Sequence, residues 1–248
     1  WDLSLSRLRA QMIRHILQGA RRVLLHALFL PDAIHPNPTH QSDPHFDFAP
    51  GFNLQPWWDD APDVLEELAR PSAFLEDGVP VRSVALFYPL EDLRAASSIP
   101  DCAAHFGIWA RALMDAGIGY TIIDERQIRL ETVRNGCLHM VSGQFDTIIL
   151  PNVTVVRDPQ TLSIFEEFSR TGGRILRSGS TLTTTRNDRT GRFEGPVIRT
   201  SDIASFTKGA FLPPLLSIEG QAQRITVQKL TSSLMRVAVF NDSDKERS

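Results

Sequence analysis

The residues with the clearest chemical potential lie near the N-terminal end. Trp57 and Trp58 close the segment FAPGFNLQPWWDD, next to Phe46, Phe48, Phe52 and Asn53. Flat aromatic rings stack on the apolar faces of sugars, and amides or imidazoles hydrogen-bond their hydroxyls. That combination is the general pattern of an apolar pocket with a few aimed polar groups. His26 interrupts the apolar run RVLLHALFLP (Arg22–Pro31) and could face the same ligand. Each tryptophan could instead pack one block of the chain against the next, and His26 could be a satisfied core histidine.

Other chemistries find less. His35, His40 and His45 recur every five residues, with Asp32, Asp43 and Asp47 among them. This spacing in a proline-rich loop matches no defined zinc ligand set, so no metal and no cofactor are expected. An elbow nucleophile needs Ser or Cys in a glycine frame after a strand. The residue after the apolar run TIILP is Asn152, and neither GxSxG nor GxCxG occurs. Phosphate loops of the GxGxxG or GxxxxGK[ST] kind are also missing. Cys102 and Cys137 read as small buried residues; two cysteines make neither a disulfide framework nor a cysteine-rich zinc site. Glycoside hydrolysis needs two carboxylates flanking the bond. The acids Asp63, Glu66, Glu67 and Glu76 sit in helix-type sequence instead.

The elements that must position these residues follow from patterning. Leu5, Leu8, Met12, Ile13, Ile16 and Leu17 form one helical stripe, with Ser4 as N-cap and Gly19 as C′ glycine. Arg22–Pro31 predicts a strand buried on both faces. A long loop carries the chain to a helix from Asp59 or Asp60, which Pro71 should kink or divide. The stretch from Arg82 to Ser180 then alternates strand and helix: RSVALFYP, a helix over Asp101–Ala116, YTIID, TIILP, a helix around Pro159–Arg170, and RILRSGS. Between these lies a short hairpin turning at Asn135-Gly136. The alternation predicts a doubly wound parallel sheet. QRITVQKL and LMRVAVFND predict two antiparallel strands, the start of a β-sandwich.

Bulk properties bound the partners. The chain has 248 residues, a formal net charge of −3 and 42% hydrophobic residues. Neither nucleic acid nor a membrane is expected as partner, and no apolar run reaches the roughly 18 to 20 residues that span a bilayer. Neither end resembles a signal peptide. The chain opens on Trp1 in helix-type sequence and stops in NDSDKERS, which leads us to expect a piece of a longer polypeptide.

Taken in order, these segments resemble the region of large multidomain glycoside hydrolases where a catalytic (β/α)8 barrel ends and a flavodoxin-like, glutamine-amidotransferase-like domain begins. The likeness is to α-L-rhamnosidases and to β-galactosidases with a flavodoxin-like trimerisation domain. It is carried by QGARRVLLH, FAPGFNLQPWW, ARPSAFLEDGVPVRSVALFYP, YTIIDE, NGCLHMVSGQFDTIILPNVTVV, FSRTGGRILRSGS and MRVAVFNDSD. The resemblance implies three parts: the last βα unit of the barrel over 1–78, the flavodoxin-like α/β domain over 79–182, and a linker with the beginning of a β-rich domain over 183–248. It implies hydrolysis of O-glycosidic bonds of plant or microbial polysaccharides, with the catalytic carboxylates upstream. Sugar contacts would come from His26, Asn53, Trp57 and Trp58. The expected partner is a carbohydrate, with a homo-oligomer as a further option. The competing expectation is a non-catalytic α/β module for interaction or oligomerisation.

Overall fold

The computed structural model describes residues 3–26, 28, 52–95, 101–130, 132–179, 182–184, 192–193, 198–208 and 223–241. The histidine loop with His35, His40 and His45, and with it Phe46 and Phe48, lies outside these residues. The chain divides into two units, Trp1–Val79 with Arg224–Ser248, and Pro80–Gln223.

The first unit is built on two helices. Helix α1 spans Leu5–Leu17, and the Ser4 hydroxyl accepts from the Arg7 N–H at 3.3 Å. Its end closes as a Schellman motif: Gly19 sits at φ 108°, Gly19 N–H reaches Ile16 C=O at 3.0 Å and Ala20 N–H reaches His15 C=O at 2.9 Å. Both caps follow the sequence expectation. Helix α2 spans Ala61–Phe74, and Arg9 of α1 pairs with Glu67 of α2. Leu8, Met12, Ile13 and Ile16 of α1 bury their stripe against Phe52, Leu68 and Leu75. Pro71 does not divide α2. It sits in the last turn, where only Ser72, Ala73 and Phe74 follow, so little of the helix depends on its missing N–H.

The expected buried strand at Arg22–Pro31 falls partly outside the described residues, and its described part carries no strand. Residues 22–26 and 28 carry no strand, and Leu24 is 93% exposed. An apolar run becomes a strand only where a neighbour takes up its backbone N–H and C=O groups. Among the described residues none pairs with it, and the last barrel strand is thus not present in them.

Strand β1 (Val79–Pro80) leads into the second unit. Its elements are β2 (Val84–Phe87), α3 (Leu90–Ala95), α4 (Asp101–Asp115), β3 (Tyr120–Ile123) and α5 (Glu125–Ile128). A meander follows, β4 (Thr132–Arg134), β5 (Cys137–Met140) and β6 (Gly143–Phe145). Then come β7 (Thr147–Pro151), β8 (Val155–Val156), α6 (Pro159–Arg170), β9 (Arg174–Ser178), β10 (Leu182–Thr184), β11 (Arg192–Phe193) and α7 (Ile203–Lys208). The central sheet has the order β3-β2-β7-β9, and its three pairings are all parallel.

Both faces of this sheet are covered, which explains its nearly continuous apolar strands. Ala85, Phe87, Ile148, Leu150 and Ile175 pack with Leu162, Phe165 and Phe168 of α6. Val84, Leu86, Ile149 and Leu176 pack with Trp109, Ala112 and Leu113 of α4 and Ile203 of α7. Alternation along each strand sends successive side chains to opposite helical layers. The meander turns where Asn135 and Gly136 both take positive φ, 51° and 71°, the primed turn that matches strand twist.

The chain closes with β12 (Gln223–Lys229) and β13 (Met235–Asn241), which form a sheet with β1 in the order β1-β12-β13. The two strands occur where the sequence places them. Among the described residues no second sheet faces them as in a β-sandwich. Ala238 and Phe240 pack on the α1–α2 cluster instead. Gln228 donates to Leu75 C=O at 2.9 Å and is 1% exposed.

Candidate functional site

The aromatic segment of the first unit folds as two short 3-10 turns, Phe52–Leu54 and Trp58–Asp60. Phe52 is buried, and its ring meets Trp57 at 6.2 Å between centroids. Trp57 donates its indole N–H to Leu3 C=O at 2.7 Å. Its polar handle is therefore engaged within the unit, as buried indoles generally require. Trp57 and Trp58 are half-buried at the margin of the α1–α2 cluster, and Asn53 is half-buried one residue after Phe52. His26 is exposed outside any regular element. Asn53 thus lies in the first turn, Trp58 opens the second, and Trp57 is the residue just before it.

In the second unit, chemistry is expected at the C-terminal ends of the parallel strands. Asn152 follows β7 with φ 47°, a left-handed residue directly after a strand. Its N–H donates to Ser178 C=O at 2.7 Å and so extends the parallel ladder. Asparagine tolerates this conformation, but its amide is no nucleophile. Gly179, at φ 83°, lies so close that an added Cβ would stand 2.1 Å from the Asn152 side-chain oxygen.

At the end of β9, Ser178 meets two groups of α4. Its hydroxyl lies 2.8 Å from His105 Nδ1 and accepts from Trp109 Nε1 at 2.9 Å. The hydroxyl has one proton and two lone pairs, so the imidazole tautomer decides whether Ser178 donates to Nδ1 or accepts from it. The pair has the hydrogen bond of a nucleophile and its base. Ser178 is nevertheless 0% exposed, so the network ties sheet to helix and offers no path for a substrate. Cys102, one turn before His105, is buried, and burial first, then the nearby Asp92 charge, pushes its thiol pKa up. A thiol in that state is inert.

Burial pushes the His105 pKa down, and the Asp101 charge opposes this only in part. The folded protein therefore binds this proton less readily than the unfolded chain. The stability contributed by the neutral ring is complete above the ordinary histidine value of about 6.5 and is lost as pH falls through the lower folded value. Urea midpoints measured from pH 8 to pH 5 should fall in the acid half of that range. The His105→Gln variant should show a shallower fall.

A cleft of about 480 Å³ opens at the ends of β2 and β3. Tyr88, Arg94, Arg126, Arg129 and Arg157 are among its lining groups. Beneath it, Glu125 is buried and fully engaged. One carboxylate oxygen accepts from Arg157 N–H at 3.0 Å, the other from Asp158 N–H at 2.6 Å and the Thr161 hydroxyl at 3.0 Å. Asp158 caps α6 through Gln160 N–H and pairs with Arg129; these two bonds, in that order, lower its pKa. At Asp124 burial favours the neutral form, but the Arg126 guanidinium and the Gln127 N–H outweigh it and lower the pKa. The sequence reading missed this cleft. A partial signal was present in Asp124-x-x-Gln127, a capping box that marks a helix start at the end of β3.

Among the described residues, no group of three or more His, Cys, Asp or Glu side chains converges as a metal site. No described helix is long and apolar enough to cross a membrane.

Comparison with known proteins adds little. No protein-family model matches the chain, and no curated protein matches it. Among solved structures, Gan42B, a GH42 beta-galactosidase, superposes with a TM-score of 0.49 and 12% sequence identity, over 73% of this chain and 38% of its own. The chain thus spans about 38% of the length of that glycosidase. A superposition at that level defines neither a shared fold nor a shared activity.

Proposed function

We propose that this chain is part of a glycoside hydrolase acting on O-glycosidic bonds of plant or microbial polysaccharides. In this reading Trp57 and Trp58 stack on a sugar, Asn53 and His26 bond its hydroxyls, and the catalytic carboxylates lie outside the chain. The Arg82–Ser180 block is then a flavodoxin-like accessory domain without chemistry of its own. The observation that supports the reading is Trp57 and Trp58, half-buried at the margin of the α1–α2 cluster, with half-buried Asn53 in the 3-10 turn just before them. The order of segments adds to it, and so does Asn152, a left-handed residue without a nucleophilic side chain at the end of β7.

The test uses the full-length protein on a panel of aryl glycosides that includes α-rhamnosides and galactosides. Hydrolysis of at least one is expected, and inactivity across the panel would overturn the reading. Burying roughly 40 Å² of apolar sugar face against a ring is worth about 1 kcal/mol. Trp58→Ala should therefore raise KM by about two- to tenfold with a smaller effect on kcat. An unchanged KM would remove Trp58 from the site.

A further inference from the structure

We propose that the cleft at the ends of β2 and β3 binds a small oxyanion, a carboxylate or phosphate group on a sugar-sized, hydroxylated body. Three observations carry this, and none of them involves the aromatic turns of the first unit.

The first is position. The chain lays β3 on one side of β2 and then crosses to place β7 on the other side. The cleft opens at the carboxyl ends of β2 and β3, beside the point between β2 and β7 where the strand order reverses. Helices diverge at such a point, and open α/β sheets bind their ligands there. The volume of about 480 Å³ falls within the range of small-molecule sites.

The second is the disposition of charge. Arg94, Arg126, Arg129 and Arg157 line the cleft, as do Glu91, Asp124, Glu125 and Asp158. The formal charges balance, but their engagement does not. Both oxygens of Glu125 are held by backbone N–H groups and Thr161. Asp124 and Asp158 each accept a backbone N–H of the helix they cap. The guanidiniums have five N–H donors each, and their ion pairs use one or two: Arg94 to Glu91, Arg129 to Asp158, and Arg126 to Asp124 through Nε and Nη2. Among the described residues Arg157 has no side-chain partner at all. Asp124, Glu125 and Asp158 are committed, and the surplus of donors belongs to the arginines.

The third is how Arg157 is held. Its own backbone N–H is fixed by Glu125 at 3.0 Å, so its main chain is anchored while its side chain is exposed. A planar donor fork on an anchored main chain suits bidentate capture of a carboxylate or phosphate. Tyr88, 38% exposed and braced edge-on by Phe106 at 5.5 Å, presents a ring and a hydroxyl to the rest of the ligand.

The test is calorimetric titration of the whole chain at low ionic strength with glucuronate, glucose 6-phosphate and glucose. At least one anion should bind about tenfold or more tightly than glucose, and the advantage should shrink in added salt. Preference for glucuronate would assign the carboxylate source; preference for the sugar phosphate would assign the phosphate source. Arg157→Ala should weaken the preferred anion about tenfold, the scale of one charge-assisted contact, and Arg157→Lys should recover part of the loss. The exposed Arg157 side chain can be replaced without disturbing the core, which an unchanged far-UV circular dichroism spectrum would verify. Equal affinity for all three probes, or an Arg157→Ala protein that binds like the parent, would overturn the proposal.

Discussion

Replacing Trp109 with alanine will cost the α/β unit about 3–5 kcal/mol, the scale for removing a large aromatic side chain from a packed core. Trp109 is 0% exposed. It packs with Val84, Leu86, Ile149 and Leu176, which come from three of the four central strands. Phe206 of α7 meets it edge-on at 6.4 Å. A single side chain thus joins α4, the sheet and α7. The loss has a polar component as well, because the indole donates to Ser178. Trp109→Phe keeps most of the volume and removes that bond, so it separates the two contributions. We expect about 1–2 kcal/mol for Phe, the cost of the bond and a small void. The measurement is amide hydrogen exchange at 84–87 and 147–150, whose protection reports opening of this unit and not of the other. Unchanged protection in Trp109→Ala would refute the account.

The second large effect is expected at Glu125. Glu125→Gln preserves size and can still accept from Asp158 N–H and Thr161. Its amide NH2 then opposes the Arg157 N–H, donor against donor. A buried donor left without its acceptor costs about 1–3 kcal/mol, so the urea midpoint of the second unit should fall while its denaturant slope stays unchanged. Asp158→Ala, which removes a cap and a partly exposed ion pair, should cost about 1 kcal/mol. If Glu125→Gln proves milder than Asp158→Ala, the buried carboxylate is not the group that fixes the α6 entry.

Much of this fold is readable wherever several local signals coincide. Helix α1 has a stripe, a serine cap and a C′ glycine that agree, and all three appear in place. The α/β unit is readable for a similar reason: short β-branched runs, glycine punctuation and an Asn-Gly turn give the same alternation. Residues 22–26 are where such reading fails, since they carry no strand. A continuous apolar run has the composition of a buried strand, but pairing is a property of two segments and the run supplies one. Pro71 fails in the other direction, since a proline matters by its distance from the helix end, and that end was not legible.

The sites were less legible than the elements. Asn53, Trp57 and Trp58 stand close in sequence, so residue type and spacing are enough to single them out as candidates. The Ser178 network could not, because its partners His105 and Trp109 are 73 and 69 residues away. The cleft is the same case. Tyr88, Arg94, Arg126 and Arg157 are unremarkable in their local sequence and become a set only through strand order.

The bond from Gln228 to Leu75 carries a consequence for how the chain is made. It joins residues 153 apart, and the unit it completes consists of Trp1–Val79 and Arg224–Ser248. The α/β unit between them is continuous from Pro80 to Gln223. During vectorial synthesis, domains fold as their residues emerge. The α/β unit can therefore finish while helices α1 and α2 still lack the hairpin that caps their core. Until then Leu75 and Gly78 have no Gln228 to seat against them. Helices α1 and α2 are made before the α/β unit and completed after it, and in the interval their core is open to proteases and to aggregation.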